Sequence, residues 1–133
     1  MPAATADDLV GIPLFDTLDA DGRAAIAPWF ELEDVSPGVK LIGEGASGYS
    51  FFVLRAGTAT VTINGIEVRT LGAGDFFGEL AILGDGQRTA TVTAASPSQV
   101  LVLFGTEFRQ LQQEHPEIAA TIESNLREIA QAA

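Results

Sequence analysis

The sequence predicts a mainly β chain with flanking α elements: an antiparallel jelly-roll or β-roll barrel with an N-terminal helical segment and two C-terminal helices. Two patterns carry this expectation. Apolar residues recur at the helical period before Pro37-Gly38 and after Gly105, and at period 2 between them. Inside the period-2 zone, Asn64-Gly65 separates two alternating runs and tolerates the positive φ angles of a two-residue hairpin turn. With 133 residues, 47% of them apolar, the chain suits one domain around one hydrophobic core. Residues 1–133 are therefore read as a single domain, with N-terminal helices in 7–30, the roll in 37–104 and C-terminal helices in 106–131.

From Asp7 to Phe30 the apolar positions Leu18, Ala25, Ile26, Trp29 and Phe30 keep helical spacing, and Pro28 predicts a short helix that kinks or stops there. Strands are expected at Lys40–Ile42, Ser50–Arg55, Thr58–Ile63, Ile66–Leu71, Thr89–Ala94 and Gln99–Phe104. Folding at Asn64-Gly65 opposes Ile63 to Ile66, Thr62 to Glu67, Val61 to Val68 and Thr60 to Arg69. Apolar pairs then share one face and polar pairs the other. After Gly105, Thr106 is placed to cap a helix carrying Phe108 and Leu111. Pro116 suits the first turn of a last helix running to Gln131.

Composition removes several function classes. Seven Lys+Arg against eighteen Asp+Glu give a net charge of −11. Such a chain repels nucleic acid and anionic lipid at long range, so no nucleic-acid partner is expected for it alone. Eight of the acids, against the single base Arg23, fall in residues 1–35, which leaves the remainder only mildly acidic. The absence of cysteine excludes disulfide scaffolds, thiolate metal sites and thiol catalysis. Residues 1–15 lack the basic start and apolar core of a signal peptide. The charge-free stretch Thr89–Thr106 is Thr-rich and broken by Pro97, so no membrane span is expected. These features predict a soluble, cytoplasmic domain.

Three motifs fail on their own terms. Gly43-Glu44-Gly45-Ala46-Ser47-Gly48 matches G-x-G-x-x-G, but the dinucleotide fingerprint needs a helix next and a strand is expected there. Asp19-Ala20-Asp21-Gly22 resembles part of a calcium loop, yet Thr17 would be the first ligand and Pro28 the closing glutamate. Acids at a solvated helix start explain it better. His115 is the only imidazole, and a jelly-roll metal enzyme needs several ligands converging inside the barrel. No enzyme activity, metal or cofactor is expected.

The segment that carries chemistry is Leu71-Gly72-Ala73-Gly74-Asp75-Phe76-Phe77-Gly78-Glu79-Leu80-Ala81, followed after six residues by Arg88-Thr89-Ala90-Thr91-Val92. Glycine at 78 lets a ligand approach the backbone closely. A helical turn starting there would aim the free N–H groups of Leu80 and Ala81 outward, as an anion site. Arg88 shares strand parity with Ala90 and Val92 and so points inward, where an arginine is costly unless an anion meets it. Phosphate is a bidentate partner of that kind. Glu79 beside it is suited to accept hydrogen bonds from sugar hydroxyls. The spacing equally allows Glu79 and Arg88 to pair with each other across a turn.

Gly78-Glu79-Leu80-Ala81 with Arg88-Thr89-Ala90 resembles the phosphate-binding cassette of the cyclic-nucleotide-binding domain family. This module occurs in catabolite-activator-type transcription regulators, kinase regulatory subunits and nucleotide-gated channels. Leu41–Gly45, Phe51–Leu54 with Gly57, and Leu71-x-x-Gly74-Asp75-x-Phe77 resemble the family's earlier strands and turns. The resemblance implies that Glu79 binds the ribose 2′-hydroxyl and Arg88 the exocyclic phosphate oxygens. Backbone groups of Gly78, Leu80 and Ala81 would complete the cradle. Thr89 would lie near phosphate and base, which requires an irregular strand start, since an ideal strand turns it away from Arg88. Gln87 stands where many members have proline.

The implied function is a non-enzymatic cyclic-nucleotide sensor or regulatory domain, with cAMP as ligand. The alternatives are cGMP, whose 2-amino group a Thr89 hydroxyl could reach, and a ligand-free interaction module docking through its helices. An effector domain or protein, or a second copy paired through the C-terminal helices, is the expected partner. The sequence does not choose between a stand-alone binder and a regulatory part of a longer protein. In the last helix, Ile118, Ile122, Leu126 and Ile129 form an apolar stripe interrupted by Asn125. A buried amide needs a partner. Adenine is one, and a backbone group, water or a second subunit are others. Residues 116–133 are expected to lack a packing surface until nucleotide fills the pocket, and so to act as a mobile lid.

Overall fold

The computed structural model describes residues 3–43, 50–78 and 90–132. Its described strands are β1 (Glu31–Val35), β2 (Lys40–Ile42), β3 (Ser50–Ala56), β4 (Ala59–Ile63), β5 (Ile66–Leu71), β6 (Phe76–Phe77), β7 (Thr91–Ala94) and β8 (Ser98–Phe104). They form two four-stranded sheets, in the orders β1-β8-β3-β6 and β2-β7-β4-β5, with antiparallel pairing throughout. The helices are α1 (Ala20–Ile26), α2 (Gly105–Glu114) and α3 (Pro116–Ala132), with 3₁₀ turns at Ala6–Leu9, Pro13–Phe15 and Ala27–Trp29. This is the mainly β roll with flanking helices that the hydrophobic periods predict.

The first sheet separates two apolar clusters. Phe51 and Val53 of β3, with Leu101 and Leu103 of β8, face Leu14, Phe15, Ile26, Phe30, Phe108, Leu111, Ile122 and Leu126 of the helical layer. The alternate residues Phe52, Leu54, Val100 and Val102 face the interior of the roll, where Ile42, Ala59, Leu71, Phe77, Val92 and Ala94 meet them. Side chains alternate across a strand, so a strand covered on both faces must be apolar at every position. That is why Phe51-Phe52-Val53-Leu54 and Val100-Leu101-Val102-Leu103 are unbroken apolar runs, each residue 8% exposed or less.

Several boundaries differ from the sequence expectation. The roll begins at Glu31 rather than 37: Glu31-Leu32-Glu33-Asp34-Val35, where no strand is expected from the sequence, pairs with β8 from Glu31 opposite Val102 to Val35 opposite Ser98. Tertiary pairing here overrides a weak local pattern. The N-terminal zone is a series of short turns around one seven-residue helix, which ends before Pro28. Asp19 caps α1 by accepting from Gly22 N–H at 2.7 Å, so the calcium-like acids are a helix start. Thr106 is not the cap of α2; β8 runs straight into the helix and Phe104 is the N-cap, with no side-chain bond.

The hairpin turns at Asn64 (φ 53) and Gly65 (φ 79), both left-handed as a type I′ turn requires. Ile63 opposes Ile66 and Thr62 opposes Glu67 as expected. A bulge then shifts the register, so that Val61 opposes Arg69 and Thr60 opposes Thr70, leaving Val68 the extra residue. The apolar face expected to be buried is exposed at its tip: Ile63, Ile66 and Val68 are 39%, 68% and 51% exposed.

Arg55 is the extra residue of a second bulge, in β3, where Leu54 pairs with Val100 and Ala56 with Gln99. The bulge re-aims the guanidinium to Asp8 Oδ1 at 3.2 Å and to Gln99 Oε1. Asp8 also accepts from Thr5 N–H at 2.8 Å, so the first turn is tied to the roll. Among the described residues, no helix is long and apolar enough to cross a membrane.

Gly57 has φ +94, and a Cβ there would sit 2.3 Å from Ser98 Oγ and 2.7 Å from the Pro97 carbonyl. Gly65 has φ +79 with open space around it. Gly57→Ala is therefore expected to cost about 2–5 kcal/mol, backbone strain plus overpacking, against about 1–2 kcal/mol of strain alone for Gly65→Ala. Urea unfolding of both variants checks this, and equal losses would contradict it.

Candidate functional site

The approach to the candidate segment is built by hydrogen bonds to β3. Asp75 N–H donates to the Gly72 carbonyl at 3.0 Å, while the Asp75 carboxylate accepts from Gly72 N–H at 2.8 Å and closes the turn. Gly74 N–H donates to the Leu54 carbonyl at 2.7 Å, and Leu54 N–H to the Asp75 carbonyl at 2.8 Å. Gly74 has φ +93, which permits this return path.

β6 then places one aromatic ring in each core. Phe77 stacks on Phe52 with centroids 5.0 Å apart inside the roll. Phe76 packs on the helical-layer side, 5.8 Å from Phe51. The two-residue strand is thus fixed from both faces, and it ends at Gly78, whose φ is +77. A left-handed residue after a fixed strand redirects the chain, and the absence of a Cβ leaves its backbone open to close approach.

Of the sequence-selected site residues, Gly78 and Asn125 are described; Glu79, Leu80, Ala81, Gln87, Arg88 and Thr89 lie outside the described residues. What the structure supplies is the frame around them. The segment leaves from β6, an edge of the first sheet, and rejoins at β7, an interior strand of the second. On β7, Val92 and Ala94 face the roll interior, the parity on which the inward reading of Arg88 rests. Among the described residues β7 runs from Thr91 to Ala94, its pairs running from Thr62 with Thr91 to Ala59 with Ala94, while Thr89, where the strand is expected to start, lies outside them.

Asn125 is engaged within the chain: its Nδ2 donates to the Leu14 carbonyl at 3.1 Å and to Thr17 Oγ1 at 2.7 Å. Of the partners considered for the amide, a backbone group is the one it meets in this structure. The expectation that the last helix lacks a packing surface is overturned. Ala119, Ile122 and Leu126 are at most 1% exposed, packed in the helical layer with Leu14 and Phe15. An apolar stripe of that length is buried against its own chain because the N-terminal turns supply matching apolar residues, a contact the sequence reading did not include. The residues that α3 leaves outward are Ala120, Ser124, Arg127 and Glu128.

His115 ends α2, donating its N–H to the Leu111 carbonyl at 2.7 Å, and its ring meets Trp29 edge-on at 6.4 Å. Among the described residues, no group of three or more His, Asp or Glu side chains could hold a metal ion. Of the glycine fingerprint, residues 44–48 lie outside the described residues, and strands β2 and β3 flank the motif. The residues that sequence reasoning missed are Leu14 and Thr17. The apolar Leu14-Phe15 pair was the available signal.

The profile of the cyclic nucleotide-binding domain family matches residues 32–115. The cAMP-dependent protein kinase regulatory subunit of Colletotrichum orbiculare is 38% identical over 107 residues, covering 79% of this chain and 27% of that protein. A cGMP-dependent protein kinase of Drosophila melanogaster is 36% identical over 111 residues, covering 77% and 14%. The regulatory domain of Toxoplasma gondii PKA, solved with cAMP, superposes with a TM-score of 0.80 at 26% identity, covering 96% of this chain and 49% of that one. The chain spans about a quarter of the length of the first curated relatives it matches. By sequence and by fold, the chain belongs to the cyclic nucleotide-binding domain family.

Proposed function

We propose that this chain is a non-enzymatic sensor domain that binds cAMP at residues 78–89 and passes the binding event to an effector domain or protein. The observation that carries the reading is the position of Gly78-Glu79-Leu80-Ala81 and Arg88-Thr89-Ala90. Both lie wholly within the stretch that matches the family, on a segment whose two ends are anchored in different sheets. The net charge of −11 opposes an anionic ligand, so the attraction must be local. Arg88 is assigned the phosphate, and the backbone of Gly78, Leu80 and Ala81 the remaining anionic oxygens. Glu79 is assigned the ribose 2′-hydroxyl, and Thr89 a place near phosphate and base. The relatives include kinases named for cAMP and for cGMP, so cGMP is the second candidate ligand. α3 is the element proposed to move over the nucleotide. Its stripe is already buried, so the movement is a shift of a packed helix between two positions, which a ligand that favours one of them drives.

Arg88→Ala leaves the phosphate with backbone dipoles alone, a loss of roughly 2–5 kcal/mol for a buried charged pair. Calorimetry with cAMP should show affinity at least about tenfold weaker. Unchanged affinity would remove Arg88 from the site. Glu79→Gln measured against cAMP and 2′-deoxy-cAMP forms a double-mutant cycle in which a direct contact gives non-additive losses. Simple additivity would show that the two groups do not meet. Competition between cAMP and cGMP is expected to favour cAMP, and preference for cGMP would reverse the ligand assignment.

A further inference from the structure

Asn125 is a polar side chain in the apolar stripe of α3, and its Nδ2 donates twice into one short segment: to the Leu14 carbonyl at 3.1 Å and to Thr17 Oγ1 at 2.7 Å. An amide NH₂ has two hydrogens, so both bonds are made at once. Leu14 belongs to the Pro13–Phe15 turn, and a 3₁₀ turn ends on carbonyls that its own ladder does not use. Asn125 supplies a donor to one of them. Beside this polar contact, Leu14, Phe15, Ile122 and Leu126 are fully buried. Apolar packing holds α3 against the turn but has little directional preference. Two hydrogen bonds, one of them to a backbone carbonyl, add the directional preference that the packing lacks.

The far side of the same turn meets the approach to the candidate site. Gly74 packs so closely on Pro13 that a Cβ would lie 3.3 Å from Pro13 Cδ. The Pro13–Thr17 segment therefore stands between the 72–78 approach and α3.

We propose that Asn125 is a positioning residue that latches α3 to the Pro13–Thr17 segment, so that the two open and close as one unit. Its bearing on nucleotide response rests on the function proposed above; the latch itself is testable without ligand.

Native-state hydrogen exchange across a denaturant series reads it directly, because segments that open together share one exchange isotherm. The reporters are Phe15, Asp16 and Leu18, whose N–H groups are bonded within the turn, and the amides of 120–129 in α3. In the wild type their isotherms should merge. Asn125→Leu keeps the side chain's approximate size and completes the apolar stripe while removing both bonds. It should separate the two isotherms, the turn exchanging at least about fivefold faster, with residues 51–54 and 100–103 unchanged. Thr17→Val removes one bond and should give a smaller separation of the same sign, which keeps the test available if the first variant does not fold. Separate isotherms in the wild type, or merged isotherms in the variants, would overturn the latch. Calorimetry with cAMP on the same wild-type sample tells the two claims apart: no uptake with merged isotherms would defeat the proposed function and leave the latch standing.

Discussion

Because β3 and β8 are covered on both faces, every other element is placed by what it has to cover. The second sheet closes over Phe52, Leu54, Val100 and Val102, while the N-terminal turns, α2 and α3 close over Phe51, Val53, Leu101 and Leu103. Fully burying a large apolar side chain is worth about 1.5–3 kcal/mol, so these eight positions outweigh any local preference elsewhere in the chain. β1 forms from an acidic run because β8 has an open edge on that side. β6 is a strand of only two residues because Phe76 and Phe77 each find a ring of β3.

The candidate site inherits its placement from the same two strands. The 72–75 turn is hydrogen-bonded to Leu54, and β6 pairs Phe52 with Phe77 and Val53 with Phe76. Gly78 thus leaves from a strand fixed by both cores, and Val92 and Ala94 return the chain to the interior of the roll. Anchoring both ends of a segment to paired strands reduces the conformational freedom lost on binding, which lowers the ordering cost of the binding proposed for residues 78–89.

What was legible in the sequence follows the range of the interaction. The hairpin turn, the strands with an apolar alternation and the candidate segment depend on residues near one another in the chain, and each could be read from spacing. Asn125 could be marked as anomalous from the stripe it interrupts, but its partners lie 111 and 108 residues away. The packing of α3 was hidden for the same reason: the apolar stripe was visible, while the turn at Pro13–Phe15 that receives it is too short to show a period. The bulge at Val68 and the exposed tip at Ile63 and Ile66 depend on where the second sheet ends, which alternation does not encode. The roles of Glu79 and Arg88 came from a resemblance in motif, since spacing alone allowed them to pair with each other.

A roll fixed by two cores is proposed to present residues 78–89 to a cyclic nucleotide. Titrating cAMP into the ¹⁵N-labelled wild-type chain, followed amide by amide, tests it most directly. Saturable shifts are expected to begin at Gly78, run through 79–89 and continue into Thr91–Ala94. The amides of Phe51–Leu54 and Val100–Leu103 should hold still. Shifts that fail to saturate, or that centre on another part of the roll such as the Ile63–Ile66 tip, would contradict it.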